Sequence, residues 1–259
     1  MKTREKRIII TGASAGIGRA IALEYARRGA RLVLAARREA ELEATAQAAR
    51  AIGADARIIA VDVTDEDAAS RIVALADSAF GGFDTVIMNA GIGFPTFAAT
   101  FRALDAERVM AVNYTSAVRM IEVALPRMLD ARSGQLVAIT SLASFRGMPG
   151  SGAYNASKAA LTVMMESLRT ELRSSGVTIT TVFPGFVRTA MTDKNEFHMP
   201  LMIEADDAAR RTVAAIERGS VDIRYPRLLS LLTRLGTYAP NRLYDWVVAR
   251  GRAGLKKRE

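Results

Sequence analysis

Short, almost wholly apolar runs recur along this chain, and longer stretches of helical periodicity separate them. The runs are Arg7–Thr11, Arg31–Ala36, Arg57–Val61, Thr85–Asn89, Gln135–Thr140 and Thr178–Phe183, with a weaker one at Val221–Tyr225. A strand that is apolar on both faces rather than alternating must be covered on both faces, which is the condition of a parallel sheet. The helical stretches are 17–28, 39–52, 65–79, 102–131, 154–174 and 205–218. Strand–helix repetition with right-handed crossovers gives an open α/β sheet, doubly wound, of about seven parallel strands flanked by helices. Asp65 is placed to cap the third helix, and Gly29, Gly53 and Gly176 sit where a left-handed residue ends a helix. The 259 residues read as one domain, with 1–225 as the sheet domain and 226–259 as a basic helical extension of it.

Composition excludes several chemistries. There is no cysteine, so disulfides, zinc–thiolate sites and cysteine nucleophiles are ruled out, and the single His198 cannot build a multi-histidine metal site. No metal site is expected. No apolar run reaches the length of a membrane span, and Met1 to Arg7 is basic without the apolar stretch of a signal peptide, which points to the cytoplasm. The net charge of +9 suggests nucleic acid at first sight. Residues 8–218, however, carry equal numbers of acidic and basic side chains, so the excess lies at the two ends and no nucleic-acid partner is expected.

The first strand runs into Thr11-Gly12-Ala13-Ser14-Ala15-Gly16-Ile17-Gly18, where a helix begins. Glycine allows a tight turn and close backbone approach, and a helix N-terminus presents free N–H groups to a pyrophosphate. Gly12, Ser14, Ala15, Gly16, Ile17 and Gly18 are therefore candidate cofactor contacts. At the end of the second strand an acid would hold a ribose 2′-hydroxyl, as in NAD sites. Here Arg37 and Arg38 follow Ala36. A guanidinium binds a 2′-phosphate that a carboxylate would repel, so the expected cofactor is NADP(H), with Arg37 as main contact and Arg38 as helper. Two solvated arginines at a helix start is the alternative. Asp62 and Val63 end the third strand, where a side-chain acceptor meets the adenine amine. Asn89, Ala90 and Gly91 end the fourth, where backbone passes close to the cofactor.

Tyr154 and Lys158 are four apart at the start of a strong helix and share one face. A nearby ammonium lowers the ordinary tyrosine pKa of about 10, and Lys158 can also bond a ribose. Ser141 ends the fifth strand on the edge that faces the ligand crevice, where its hydroxyl can polarise a carbonyl; Ser144 competes for that role. Asn113 is a polar residue inside a long helix and needs a reason: either it anchors a water leading from Lys158 to solvent or it is satisfied in the core. After the sixth strand, Pro184-Gly185-Phe186-Val187-Arg188-Thr189 brings Pro184, Gly185, Val187 and Thr189 toward a nicotinamide carboxamide or the pyrophosphate.

These motifs together resemble the short-chain dehydrogenase/reductase family. The matching pieces are Thr11–Gly18, Asp62, Asn89–Gly91, Asn113, Ser141, Tyr154, Lys158 and Pro184–Thr189, in the family's order across residues 7 to about 190. The resemblance implies a single-domain Rossmann-like fold. It also implies an oxidoreductase that moves a hydride between nicotinamide and an alcohol or carbonyl carbon. In that scheme Tyr154 is the acid/base, Lys158 tunes it, Ser141 orients the substrate oxygen and Asn113 supports a proton relay. Such proteins are commonly dimers or tetramers built on the helices read here as 102–131 and 154–174. Met88 departs from the pattern, since many relatives carry a second asparagine there. The competing functions are a non-catalytic dinucleotide-binding or sensing protein and an NAD-preferring dehydrogenase of a small polar alcohol.

Residues 189–203 fall in the family's substrate lid. Met191, Phe197, Met199, Leu201 and Met202 are adaptable apolar groups and point to a hydrophobic alcohol or carbonyl substrate, although they also suit a lid that packs itself down. In the tail, Leu228, Leu231, Leu232, Leu235 and Tyr238 recur at helical spacing, then Leu243, Trp246 and Val247, with arginines interspersed. Three roles fit this basic amphipathic segment: packing on the body, packing on a partner subunit, or peripheral contact with an anionic membrane.

Overall fold

The computed structural model describes residues 5–193 and 199–256, with side chains assigned through residue 249. Seven parallel strands form one sheet in the order β3-β2-β1-β4-β5-β6-β7. They are β1 (Arg7–Thr11), β2 (Arg31–Ala36), β3 (Ala56–Ala60), β4 (Thr85–Met88), β5 (Gly134–Ile139), β6 (Val177–Pro184) and β7 (Asp222–Tyr225). The period of two divides their side chains between two cores. Ile8, Ile10, Leu32 and Leu34 pack with α1 (Gly16–Ala26), α2 (Glu39–Ala51) and α7 (Ala205–Glu217). Ile9, Val33 and Val86 pack with α3 (Ala68–Phe80), α5 (Ser116–Asp130) and α6 (Gly152–Glu171). Both faces are therefore buried, which is why the strands read as apolar throughout. The strand order reverses direction between β1 and β4, and crevices at such a switch point open at the carboxyl ends of the strands.

Three local readings change. The third helix begins at Ala68, not at residue 65, and Asp67 occupies its cap position without a side-chain capping bond. The intervening residues form a turn: Asp62 Oδ1 accepts from the Thr64 amide at 2.9 Å, and the Asp65 amide donates to the Asp62 carbonyl at 3.0 Å. Asp65 is thus a turn residue rather than a cap. The long helix 102–131 is interrupted: α4 (Ala103–Met110) passes through one π-helical turn (Ala111–Thr115) into α5. The 226–259 extension contains two helices, α8 (Arg227–Tyr238) and α9 (Asn241–Lys256). Gly29, Gly53 and Gly176 all have positive φ, as expected.

Candidate active site

The loop after β1 is shaped by its glycines. Gly12 has φ +68°, and a Cβ on it would lie 2.8 Å from the Ala90 Cα. The Asn89 side chain donates to the carbonyls of Thr11 (3.0 Å) and Gly12 (3.1 Å), while Thr11 Oγ1 accepts from the amides of Asn89 and Ala90, each at 3.1 Å. Asn89 therefore welds the end of β4 to the loop, and it fills the space in which a Gly18 side chain would stand. Thr189 closes over the loop from the other side: a Cβ on Gly16 would lie 3.2 Å from its Cγ2. Helix α1 starts at Gly16 with no side chain capping it and no acid in its first turn. Its N–H groups and positive dipole end stay available to an anion.

At the end of β2, Arg37 and Arg38 are exposed and diverge. Arg37 pairs with Asp62 at 3.4 Å, while Arg38 Nη2 donates to Ser14 Oγ at 3.2 Å and pairs with Glu41 at 3.1 Å. Burial alone would raise the Asp62 carboxyl, but bonds from the Thr64 amide and hydroxyl and the Arg37 charge outweigh it and hold the pKa below the usual value. Glycine cradle, uncapped helix start and two exposed guanidiniums fit an anionic dinucleotide. Ala15 and Ile17 open α1, and Val63 stands beside Asp62.

Ser141, Tyr154 and Lys158 converge at the carboxyl ends of β5 and β6. Ser141 is buried, accepts from the Ala143 amide at 3.1 Å and donates to the Pro184 carbonyl at 3.4 Å. Ser144 instead turns its hydroxyl back onto the Ser141 carbonyl at 2.7 Å, away from the competing role. Lys158 is 4% exposed and donates to the Ile139 carbonyl at 2.8 Å. Burial pushes its pKa down to about 8. The Tyr154 hydroxyl shifts against the expectation. Burial raises its pKa, and hydrogen bonding with Ser141 offsets only part of that rise. The Lys158 ammonium sits 5.9 Å from the Tyr154 ring centre and bonds a backbone carbonyl rather than the hydroxyl. Desolvation governs both groups.

Asn113 is 1% exposed and lies in the π turn. Its Oδ1 accepts from the Ile92 amide at 2.8 Å, and its Nδ2 donates to the Ile92 carbonyl and to Ser157 Oγ, each at 2.9 Å. A Cβ on Gly91 would lie 3.3 Å from both Asn113 Oδ1 and Lys158 Nζ. These two polar atoms thus flank one glycine, and Asn113 clamps the backbone beyond it. Gly185, read as a nicotinamide turn, is packed closely for another reason: a Cβ there would lie 2.9 Å from Leu229 and 3.0 Å from Pro226, at the start of α8. Val187 is buried and bridges to Ile203, which closes the base of the lid segment. Residues 194–198, including Phe197 and His198, lie outside the described residues; Met191 and Leu201 are exposed.

Two residues escaped the sequence reading. Asn155 is buried, and its Nδ2 donates to the carbonyls of Ala143 (2.9 Å) and Arg146 (2.7 Å), fixing the loop between Ser141 and Tyr154. An amide beside Tyr154 in the first turn of a helix was the available signal. Arg146 ties this loop to the tail, and nothing in its sequence context marks it. Among the described residues there is no group of three or more His, Cys, Asp or Glu that could hold a metal, and no helix is long and apolar enough to cross a membrane.

An open parallel sheet with a glycine loop at its switch point and a Ser–Tyr–Lys set at the adjoining strand ends defines a dinucleotide-dependent oxidoreductase. The short chain dehydrogenase family matches residues 6–199, and the chain belongs to that family. An uncharacterised oxidoreductase of Myxococcus xanthus is 41% identical over 92% of this chain and 94% of its own length. An 11-beta-hydroxysteroid dehydrogenase-like protein of Arabidopsis thaliana is 34% identical over 93% of this chain and 83% of its own. Among solved structures, a Burkholderia phymatum short chain dehydrogenase/reductase in complex with NAD superposes with a TM-score of 0.84 at 28% identity, covering 91% of this chain and 94% of that one. The family binds small-molecule substrates with NAD or NADP, and the chain is an oxidoreductase of this kind.

Proposed function

We propose that this protein interconverts an alcohol with a ketone or aldehyde, on a hydrophobic substrate, using NADP(H) and Tyr154 as general acid/base. The observation that carries the reading is the convergence of Ser141, Tyr154 and Lys158 beside a glycine loop edged by two arginines. Gly12, Ser14–Gly18, Asn89–Gly91, Pro184, Gly185, Val187 and Thr189 would hold the cofactor, with Asp62 and Val63 at the adenine and Arg37 and Arg38 at the 2′-phosphate. When bound, the nicotinamide supplies or accepts the hydride. In the reducing direction, the Tyr154 hydroxyl gives its proton to the carbonyl oxygen as that oxygen becomes anionic, and the Ser141 hydroxyl holds the oxygen in place. The raised Tyr154 pKa keeps the proton on the residue through neutral pH. The Lys158 ammonium stabilises the phenolate left behind, and a water between Lys158 and Asn113 Oδ1 returns the proton.

Relatives named for a hydroxysteroid dehydrogenase support an apolar alcohol or ketone, as does the Met-rich lid. Exposed Leu104 and Val163 on α4 and α6 support a homodimer or homotetramer built on those helices. The deciding experiment is Tyr154→Phe, assayed by NADPH oxidation against a panel of ketones, long-chain aldehydes and quinones. Loss of a general acid costs on the order of 10² to 10⁴ in rate, with NADPH binding retained. Equal turnover by the variant would remove Tyr154 from the mechanism, and absence of any turnover by the wild type would favour the sensing alternative.

A further inference from the structure

Helices α8 and α9 are turned inside out relative to an ordinary surface helix, which buries its apolar stripe against the core. In α8 the residues facing the body are Ser230, Thr233 and Gly236, with Leu229 beside them. Leu228, Leu231, Leu232 and Leu235, at i, i+3, i+4 and i+7, are between 55% and 59% exposed. Helix α9 repeats the arrangement: Tyr244 and Val248 are half-buried, whereas Leu243, Trp246 and Val247 are each 52% exposed. Burial of these faces is an apolar gain that the described residues of the tail leave unrealised. Arg227 and Arg234, seven residues apart, share one flank of the α8 stripe, and both are exposed.

We infer that these faces dock on a membrane surface bearing anionic lipids. Charge selects this occupant. Residues 226–259 carry eight Lys and Arg against Asp245 and Glu259, while residues 8–218 are neutral. A second copy docking face to face would oppose one basic tail to another, and the neutral body offers no net negative surface to receive it. An anionic bilayer supplies negative charge and an apolar layer together, which is what a helix with leucines on one face and arginines at its flank matches.

The tail also bears directly on the catalytic loop. Arg146 donates to the carbonyls of Gly236 (2.5 Å) and Ala239 (2.7 Å) and to Asn241 Oδ1 (2.8 Å), and lies 3.9 Å over the Tyr244 ring. The Tyr244 hydroxyl donates to the Gly147 carbonyl at 2.7 Å. Docking therefore holds segment 145–148, between Ser141 and Tyr154, one helix diameter, about 10 Å, from the lipid. The lipid is the place where the apolar substrate of the proposed function partitions, a consequence that rests on that reading while the docking itself does not.

The test is co-sedimentation of the full-length protein with phosphatidylcholine vesicles with and without phosphatidylserine, read also by the emission of Trp246, the one tryptophan in the chain. The expected result is pelleting with the anionic vesicles and a blue shift, both lost at raised salt. Leu231→Ser/Leu235→Ser and Arg227→Glu/Arg234→Glu, substitutions at exposed positions, should each weaken vesicle binding by about tenfold or more, with unchanged circular dichroism. Tyr154→Phe should dock as the wild type does, which separates failure of this inference from failure of the catalytic reading. No pelleting, or equal pelleting with neutral vesicles, overturns it. So does a change of oligomeric state in the leucine variant, by sedimentation velocity, without a change in vesicle binding, since a second copy would then be the occupant.

Discussion

On the proposed reading, Arg37 and Arg38 are the single side chains that would select the cofactor. Arg37 faces Asp62 across the end of β3 at 3.4 Å, in an exposed pair that contributes little by itself. An incoming 2′-phosphate would offer that guanidinium a doubly charged partner in place of a shared carboxylate. Arg38, read from sequence as a helper, reaches the glycine loop through Ser14. Hydrogen bonds to charged groups contribute about 1.5–3 kcal/mol each, so Arg37→Ala should weaken NADPH binding by roughly tenfold to a hundredfold and leave NADH binding nearly unchanged. Isothermal titration with both cofactors checks this, and an equal loss for both would assign Arg37 to the adenosine rather than to the phosphate. The position of these residues at the end of β2 was legible because strand ends and glycine spacing are local in sequence. Their partners were not, because Arg37–Asp62 and Arg38–Ser14 are contacts between separate crossovers.

At the scale of elements, the strands were legible because two-sided burial leaves short apolar runs, and most helices because their apolar residues recur at helical spacing. Polar residues misled at the boundaries. Asp65 looked like a cap, but the Asp62 side chain takes the Thr64 amide first and makes a turn that delays α3 to Ala68. The π turn at Ala111–Thr115 left no periodic signature, since one inserted residue does not disturb the apolar spacing on either side. That turn is what carries Asn113 to Ile92. With the Asn113 side chain gone, the Ile92 amide and carbonyl and the Ser157 hydroxyl would be left unpaired or poorly paired, at about 1–3 kcal/mol for a buried group. Asn113→Ala should accordingly lower the unfolding free energy by about 3 kcal/mol in urea titrations. An unchanged midpoint together with a lost activity would mean that Asn113 serves proton transfer and not the architecture of the strand-end loop.

The molecule as a whole carries an electrostatic cost at its centre, and pH exposes it. Lys158 is buried against the Ile139 carbonyl, and burial holds its pKa at about 8, against 10.5 in an unperturbed chain. A depressed lysine pKa means that the charged form is penalised in the fold. The penalty is fully present below pH 8 and is relieved as pH rises from 8 toward 10.5, because the native state gives up a proton that the unfolded chain keeps. Stability from this group must therefore increase with pH in that window. Tyrosines act in the opposite sense: burial raises Tyr25, Tyr154 and Tyr225 above 10, so their contribution falls once the unfolded chain begins to ionise there. The clean interval is pH 8 to 10, over which Lys158 should add about 2 kcal/mol to the unfolding free energy. Urea unfolding of the cofactor-free protein across that interval measures the slope, and Lys158→Met should flatten it while raising stability at neutral pH. A wild-type slope that survives in the variant would mean that Lys158 titrates normally, and the claim that burial rather than Tyr154 sets its charge state would fall.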